Sequence, residues 1–176
     1  MDSNASAAPL YGIVPAAVVG GVINALINGG LGWAMVPAGE RLMLWALPGL
    51  AFDVVAMSFG IAFGTGIAVT PLLRRQQRAG AVRAPEVSPF WRDGFARWPA
   101  GVLHRAFNLG ALSALVFAPP TIALLWIAGV DGLGREAVTA FKGAFGFAHG
   151  AFVTPVIGLG ALYGPAGPEK KLENMR

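Results

Sequence analysis

The chain has 176 residues, 55% hydrophobic and only 12% charged, with 25 glycines and no cysteine. A soluble domain carries about a quarter charged residues, so this balance and a mean hydropathy of +0.61 exclude an ordinary water-soluble fold. The missing cysteines exclude disulfides, thiolate metal sites and dithiol redox relays. The formal net charge of +4 suits anionic lipid headgroups better than nucleic acid.

The first nine residues hold Asp2 and no Lys or Arg, unlike the basic start of a cleaved signal peptide. The apolar stretch that follows is therefore expected to be a retained span. A helix needs about 20 apolar residues to cross ~30 Å of hydrocarbon, and four stretches qualify: 12–36, 47–73, 106–130 and 137–163. The first stops at Pro37, and Pro48 is expected in the first turn of the second, where a missing N–H costs little. Short connections at 37–46 and 130–136 pair the spans as two hairpins. The chain thus reads as one membrane domain, an all-α bundle of four transmembrane helices, with a cytoplasmic linker at 74–105 and a cytoplasmic tail at 164–176.

Cations set the direction. The linker carries seven: Arg74, Arg75, Arg78, Arg83, Arg92, Arg97 and Arg105. The tail adds Lys170, Lys171 and Arg176, whereas the two hairpin loops have only Arg41 and Arg135. This asymmetry puts the linker and both termini in the cytosol. Within the linker, Ser88-Pro89 is a helix-start signal. Trp91, Phe95 and Trp98 then share one face, with Arg92 and Arg97 off it, as in a short helix lying among lipid headgroups.

An internal echo links the second and fourth spans. Phe63-Gly-Thr-Gly-Ile-Ala-Val-Thr-Pro71 and Phe147-Ala-His-Gly-Ala-Phe-Val-Thr-Pro155 agree at five of nine positions, at an offset of 84 residues. Asn24 and Asn108 share that offset, which suggests two repeated hairpins related by an axis along the membrane normal. Thr70-Pro71, Thr154-Pro155 and Pro119-Pro120 are expected kinks, each threonine hydroxyl helping to satisfy backbone groups that proline frees. Ordinary kinks and a hinge both remain open.

Polar groups inside the spans are the candidates for function, because a charge at mid-bilayer costs ~2.5–3.5 kcal/mol on insertion scales. Asp53 and Lys142 are the acid and base well inside the predicted spans. They are five residues apart in depth, or ~7.5 Å at 1.5 Å per residue, a gap that a lysine stem can close. A structural ion pair, two snorkelling charges and a substrate- or proton-coupled site are the alternatives. Asn24 and Asn28, one turn apart, are expected to hydrogen-bond across helices or to coordinate a substrate. His149 reads as a packed residue or a proton relay; His104 is too far from it in depth for a shared haem. Gly60-xxx-Gly64 and Gly146-xxx-Gly150 permit close helix approach, inside the bundle or between copies.

No serine elbow, phosphate loop or zinc helix is present, so an enzyme is not expected, and no cofactor or metal is implied. At Ile23-Asn-Ala-Leu-Ile-Asn-Gly29, Val69-Thr-Pro-Leu-Leu-Arg-Arg75, Phe141-Lys142 and Val153-Thr154-Pro155 the chain resembles a group of small bacterial four-span membrane proteins described as hypothetical or permease-like. The resemblance implies a cytoplasmic-membrane address, with an acid and a lysine at the positions of Asp53 and Lys142. It brings no activity with it. Two functions lead: a small permease-like transport subunit, pictured as a homo-oligomer, with a polar cavity in the outer half, and an accessory scaffold that docks a partner through its spans and aromatic linker.

Overall fold

A computed structural model describes residues 11–165 of the chain. The N-terminal segment with Asp2 and the tail cations Lys170, Lys171 and Arg176 lie outside these residues. Five helices follow in order: α1 (Ile13–Met35), α2 (Leu50–Arg78), α3 (Pro89–Ala96), α4 (Val102–Ile127) and α5 (Arg135–Tyr163). Among the described residues α1, α2, α4 and α5 are long and apolar enough to cross a membrane. The architecture is the all-α bundle of a multi-pass membrane protein.

The span ends differ from the sequence reading in ways the local chemistry explains. Helix α1 ends at Met35 because Val36, which precedes Pro37, is extended at φ −106° and ψ 113°, as a residue before proline prefers. Pro48 is not in the first turn of α2; Gly49 caps that helix and Pro48 stands outside it. At the other end α2 runs on to Arg78, and α4 begins at Val102, so the non-helical linker is shorter than expected. Pro71, Pro119, Pro120 and Pro155 all lie inside continuous helices.

Two short strands, β1 (Arg41–Met43) and β2 (Gly132–Gly134), pair antiparallel and tie the two hairpin loops together. Arg41 donates to Gly132 O at 2.6 Å. Arg135 closes the end of α1, donating to Val36 O at 2.8 Å with its guanidinium 4.5 Å from the Trp33 ring centre. A cation at a helix C-terminus matches the dipole there. The opposite end of the molecule carries the linker arginines, and both ends of the described chain meet there: Tyr11 N donates to Arg83 O and Arg74 Nη2 to Pro165 O.

The packing departs from two compact hairpins. Helix α1 lies along α5, α2 lies along α4 and also touches α5, and α1 and α2 barely meet. Each hairpin's first helix therefore packs on the second helix of the other. Backbone close approach explains the partnership. A Cβ at Gly146 would meet Asn24 O at 2.6 Å, and one at Gly150 would meet Gly20 O at 2.6 Å. Without a hydrophobic force between spans, such glycine contacts are what bring helices together. The apolar core lies between α2 and α5, around Met57, Ile61, Ala62, Val153 and Ile157.

Candidate functional site: a groove with a polar floor

The lack of contact between α1 and α2 leaves a groove of about 710 Å³, floored by α5 and open along one side. Its length runs from Tyr11 and Leu73 at the arginine-rich end to Met35 and Asp53 near the sheet. Twenty residues of α2 separate Asp53 from Leu73, or ~30 Å, which is about the hydrocarbon thickness. The α2 wall presents Ala56, Gly60, Gly64 and Ala68 at every fourth position, all exposed. A Cβ at Gly60 or Gly64 would meet nothing within 4 Å.

From α5, Lys142 and Thr154 reach the floor, on a four-residue rhythm that also sets Gly146, Gly150 and Gly158 beneath it. Each glycine leaves room for a polar group arriving from the N-terminal part of the chain. Asn28 stands over Gly146, Asn24 over Gly150, and the Tyr11 hydroxyl over Gly158, while Thr154 faces Gly20. At 1.5 Å per residue these levels are ~6 Å apart. Asn24, Asn28, Asp53, Lys142, Thr154 and Tyr11 all line the groove.

At the sheet end, Lys142 Nζ donates to both carboxylate oxygens of Asp53, at 2.7 and 2.8 Å. The side chains are 3% and 11% exposed, so this is a buried ion pair. The lysine stem lies over Gly32, where a Cβ would stand 3.1 Å from its Cδ, and Nζ is 3.5 Å from Met35 Sδ. Of the three sequence alternatives, the pair forms and separate snorkelling does not occur.

The asparagines behave differently from expectation. Asn24 Nδ2 donates to Gly20 O and Asn28 Nδ2 to Asn24 O, each at 2.8 Å and within α1. Among the described residues neither amide bonds to α5, because glycine opposite each offers no side-chain partner. The threonine expectation is also corrected. Thr70 and Thr154 Oγ1 are buried without a hydrogen bond, whereas Thr121 Oγ1, next to Pro119-Pro120, donates to Phe117 O at 2.7 Å. Burial pushes the Tyr11 phenol up to about 12.

His149 is not part of the groove. It lies between α4 and α5, its Nε2 2.5 Å from Ser113 Oγ, with the Phe117 ring centre 4.3 Å away. His104 is exposed at the start of α4. Ser113 escaped sequence reading because a serine in an apolar run carries no signal without its partner.

The linker helix α3 forms where the sequence places it, and Ser88 occupies the cap position without a side-chain bond. Its aromatic face is divided. Phe95 is buried and stacks with Tyr163 at 6.4 Å. The Trp98 ring fills the space that a Cβ at Gly160 would need. Trp91 is exposed, as are Arg92 and Arg97 beside it. Part of the face thus packs on α5.

Arg105, counted by sequence only among the orienting cations, is 1% exposed. It donates to Gly160 O at 2.7 Å and to Pro99 O at 2.9 Å. Gln77 reaches Leu162 O, and Tyr163 donates to Pro85 O. The bonds to Gly160 O and Leu162 O fall on the last turn of α5, where helix carbonyls run short of partners within the helix.

The fold and groove define a small four-span helical membrane protein with an ion pair and two amides along one cleft. No family model, curated protein or solved structure matches the chain.

Proposed function

We propose that this chain is a small permease-like transport protein of the bacterial cytoplasmic membrane, handling an amphiphilic molecule in the groove between α1 and α2. The supporting observation is the convergence of Asn24, Asn28, Asp53 and Lys142 on that one groove. Four polar side chains scattered through packing or lipid positions would have left no basis for a transport role. Apolar walls with few convergent polar groups suit an amphiphile better than a small hydrophilic solute. The arginine-rich end faces the cytosol under the positive-inside rule, and anionic headgroups are its partners there. The role in this reading is non-catalytic, with Asp53 and Lys142 neutralising each other.

The native absence of cysteine allows a direct test. Cysteine introduced as Asn28→Cys or Ala56→Cys should react with a charged, water-soluble thiol reagent in intact membranes. Leu115→Cys, on an outward face of α4, should not. Equal inertness at all three positions would overturn the transport reading. A docking role has one observation in its favour, the exposed Ala56, Gly60, Gly64 and Ala68 stripe, which is the kind of surface a partner helix packs against.

A further inference from the structure

We propose that the sheet end of this groove binds the zwitterionic headgroup of a lipid, its ammonium against Asp53 and its anionic group against Lys142. The hydrocarbon chain then lies along the Ala56, Gly60, Gly64 and Ala68 face. This assignment rests on the reading of the groove as an amphiphile site and adds the charge class of its occupant.

Charge balance carries the inference. Among the described residues, Asp53 and Lys142 are the charged groups lining the groove, and they are paired with each other. A ligand with a single charge would engage one of them and strip the other of its counter-ion in a desolvated site. Breaking a buried pair from one side is strongly unfavourable. A zwitterion instead exchanges one internal pair for two intermolecular pairs, and every charge stays compensated.

The neighbouring groups fit that exchange. Asn28 uses its amide N–H on its own helix. The Asn28 side chain lies over Gly146, one turn of α5 from Lys142, and its amide carbonyl is an acceptor for an ammonium at that level. Lys142 lies over Gly32 with Nζ near Met35, so its long stem has room to follow an anionic group toward the membrane surface. The apolar part of the ligand has its place in the open space over Gly60 and Gly64. Thr154, 7% exposed and unpartnered at Oγ1, adds a polar group deeper in the floor. The volume, about 710 Å³, falls within the ~300–1,000 Å³ range of ligand sites.

The test uses the full chain in detergent and native mass spectrometry with four single-chain lipids that share one acyl chain. Their headgroups are phosphoethanolamine (zwitterionic), phosphoglycerol (anionic), a primary ammonium (cationic) and glycerol (neutral). The phosphoethanolamine lipid is expected to bind about tenfold more tightly than the other three, a difference of ~1.4 kcal/mol. Asp53→Asn with Lys142→Gln should erase the preference while hydrocarbon binding persists. Asp53→Glu with Lys142→Arg should keep it, which guards against a fold-disrupting effect of the neutral pair. Gly60→Leu with Gly64→Leu should abolish binding of all four lipids. Equal binding of the four headgroups by the native protein, or a preference that survives the neutral pair, overturns the headgroup assignment. If filling the groove with leucine leaves binding intact, the amphiphile site itself is overturned.

Discussion

At the scale of single residues, the Asp53–Lys142 pair is the sharpest case. Removing one partner leaves a buried charge uncompensated, at about 3–5 kcal/mol, whereas replacing both together with apolar groups of similar size is near neutral. Thermal unfolding in detergent should therefore show Asp53→Leu and Lys142→Met each strongly destabilising and the double variant close to native. Additive losses would show that the two charges do not meet. Tyr11 gives a pH signature. Its phenol titrates at about 12 in the fold, against ~10 for an unperturbed tyrosine. The folded state holds the proton more tightly, so this contribution is complete below pH ~10 and is lost as pH rises through 12. The chain has two tyrosines. In a Tyr163→Phe variant the ultraviolet tyrosinate signal should appear near pH 12; a transition near 10 would mean an exposed phenol. Sequence alone made Asp53 and Lys142 conspicuous because charges in apolar spans are costly. It misdirected Asn24 and Asn28 toward bonds across helices, since their choice of an i−4 carbonyl depends on α5 offering only glycine opposite them.

At the scale of elements, two identical Gly-xxx-Gly spellings have opposite meanings. Gly146 and Gly150 lie against α1, where a Cβ would strike backbone and amide atoms at 2.6–2.8 Å. Gly60 and Gly64 face open space. Gly146→Ala or Gly150→Ala should lower the melting temperature by separating α1 from α5. Gly60→Ala and Gly64→Ala should be neutral or raise stability by up to ~1 kcal/mol, because alanine is the better helix former. Comparable losses at all four sites would contradict the open groove. Periodicity revealed the helices themselves, including α3, because apolar length and a Ser-Pro start are local signals. It did not reveal the partners, because lipid-facing and protein-facing glycines look alike in one dimension. Arg105 makes a related point. Arg105→Lys keeps the positive charge but loses the fork that spans Gly160 O and Pro99 O, so a drop in thermal stability is expected without any change in topology.

For the whole molecule, the exchange of partners between hairpins gives meaning to the echo between the second and fourth spans. By the offset of 84, Thr65 corresponds to His149 and Ala68 to Phe152. The α1–α2 gap has Thr65 and Ala68 and stays open. Its counterpart between α4 and α5 has His149, Phe117 and Phe152 filling it, which leaves only about 120 Å³. The asparagine match does not extend to environment: Asn24 is buried against α5 and Asn108 is exposed. Four spans were plain from hydropathy, yet the groove was not, because short loops imply packed hairpins and only the α1–α5 glycine seam overrides that. Disulfide trapping in native membranes reads this arrangement most directly. Gly29→Cys with Gly143→Cys joins positions in backbone contact where a Cβ is tolerated, while Ile27→Cys with Gly60→Cys spans the groove at about one depth. Mild oxidation should link the first pair quickly and leave the second unlinked. Rapid linkage of Ile27→Cys with Gly60→Cys, or none between Gly29→Cys and Gly143→Cys, would mean that α1 packs on α2 and that no groove exists.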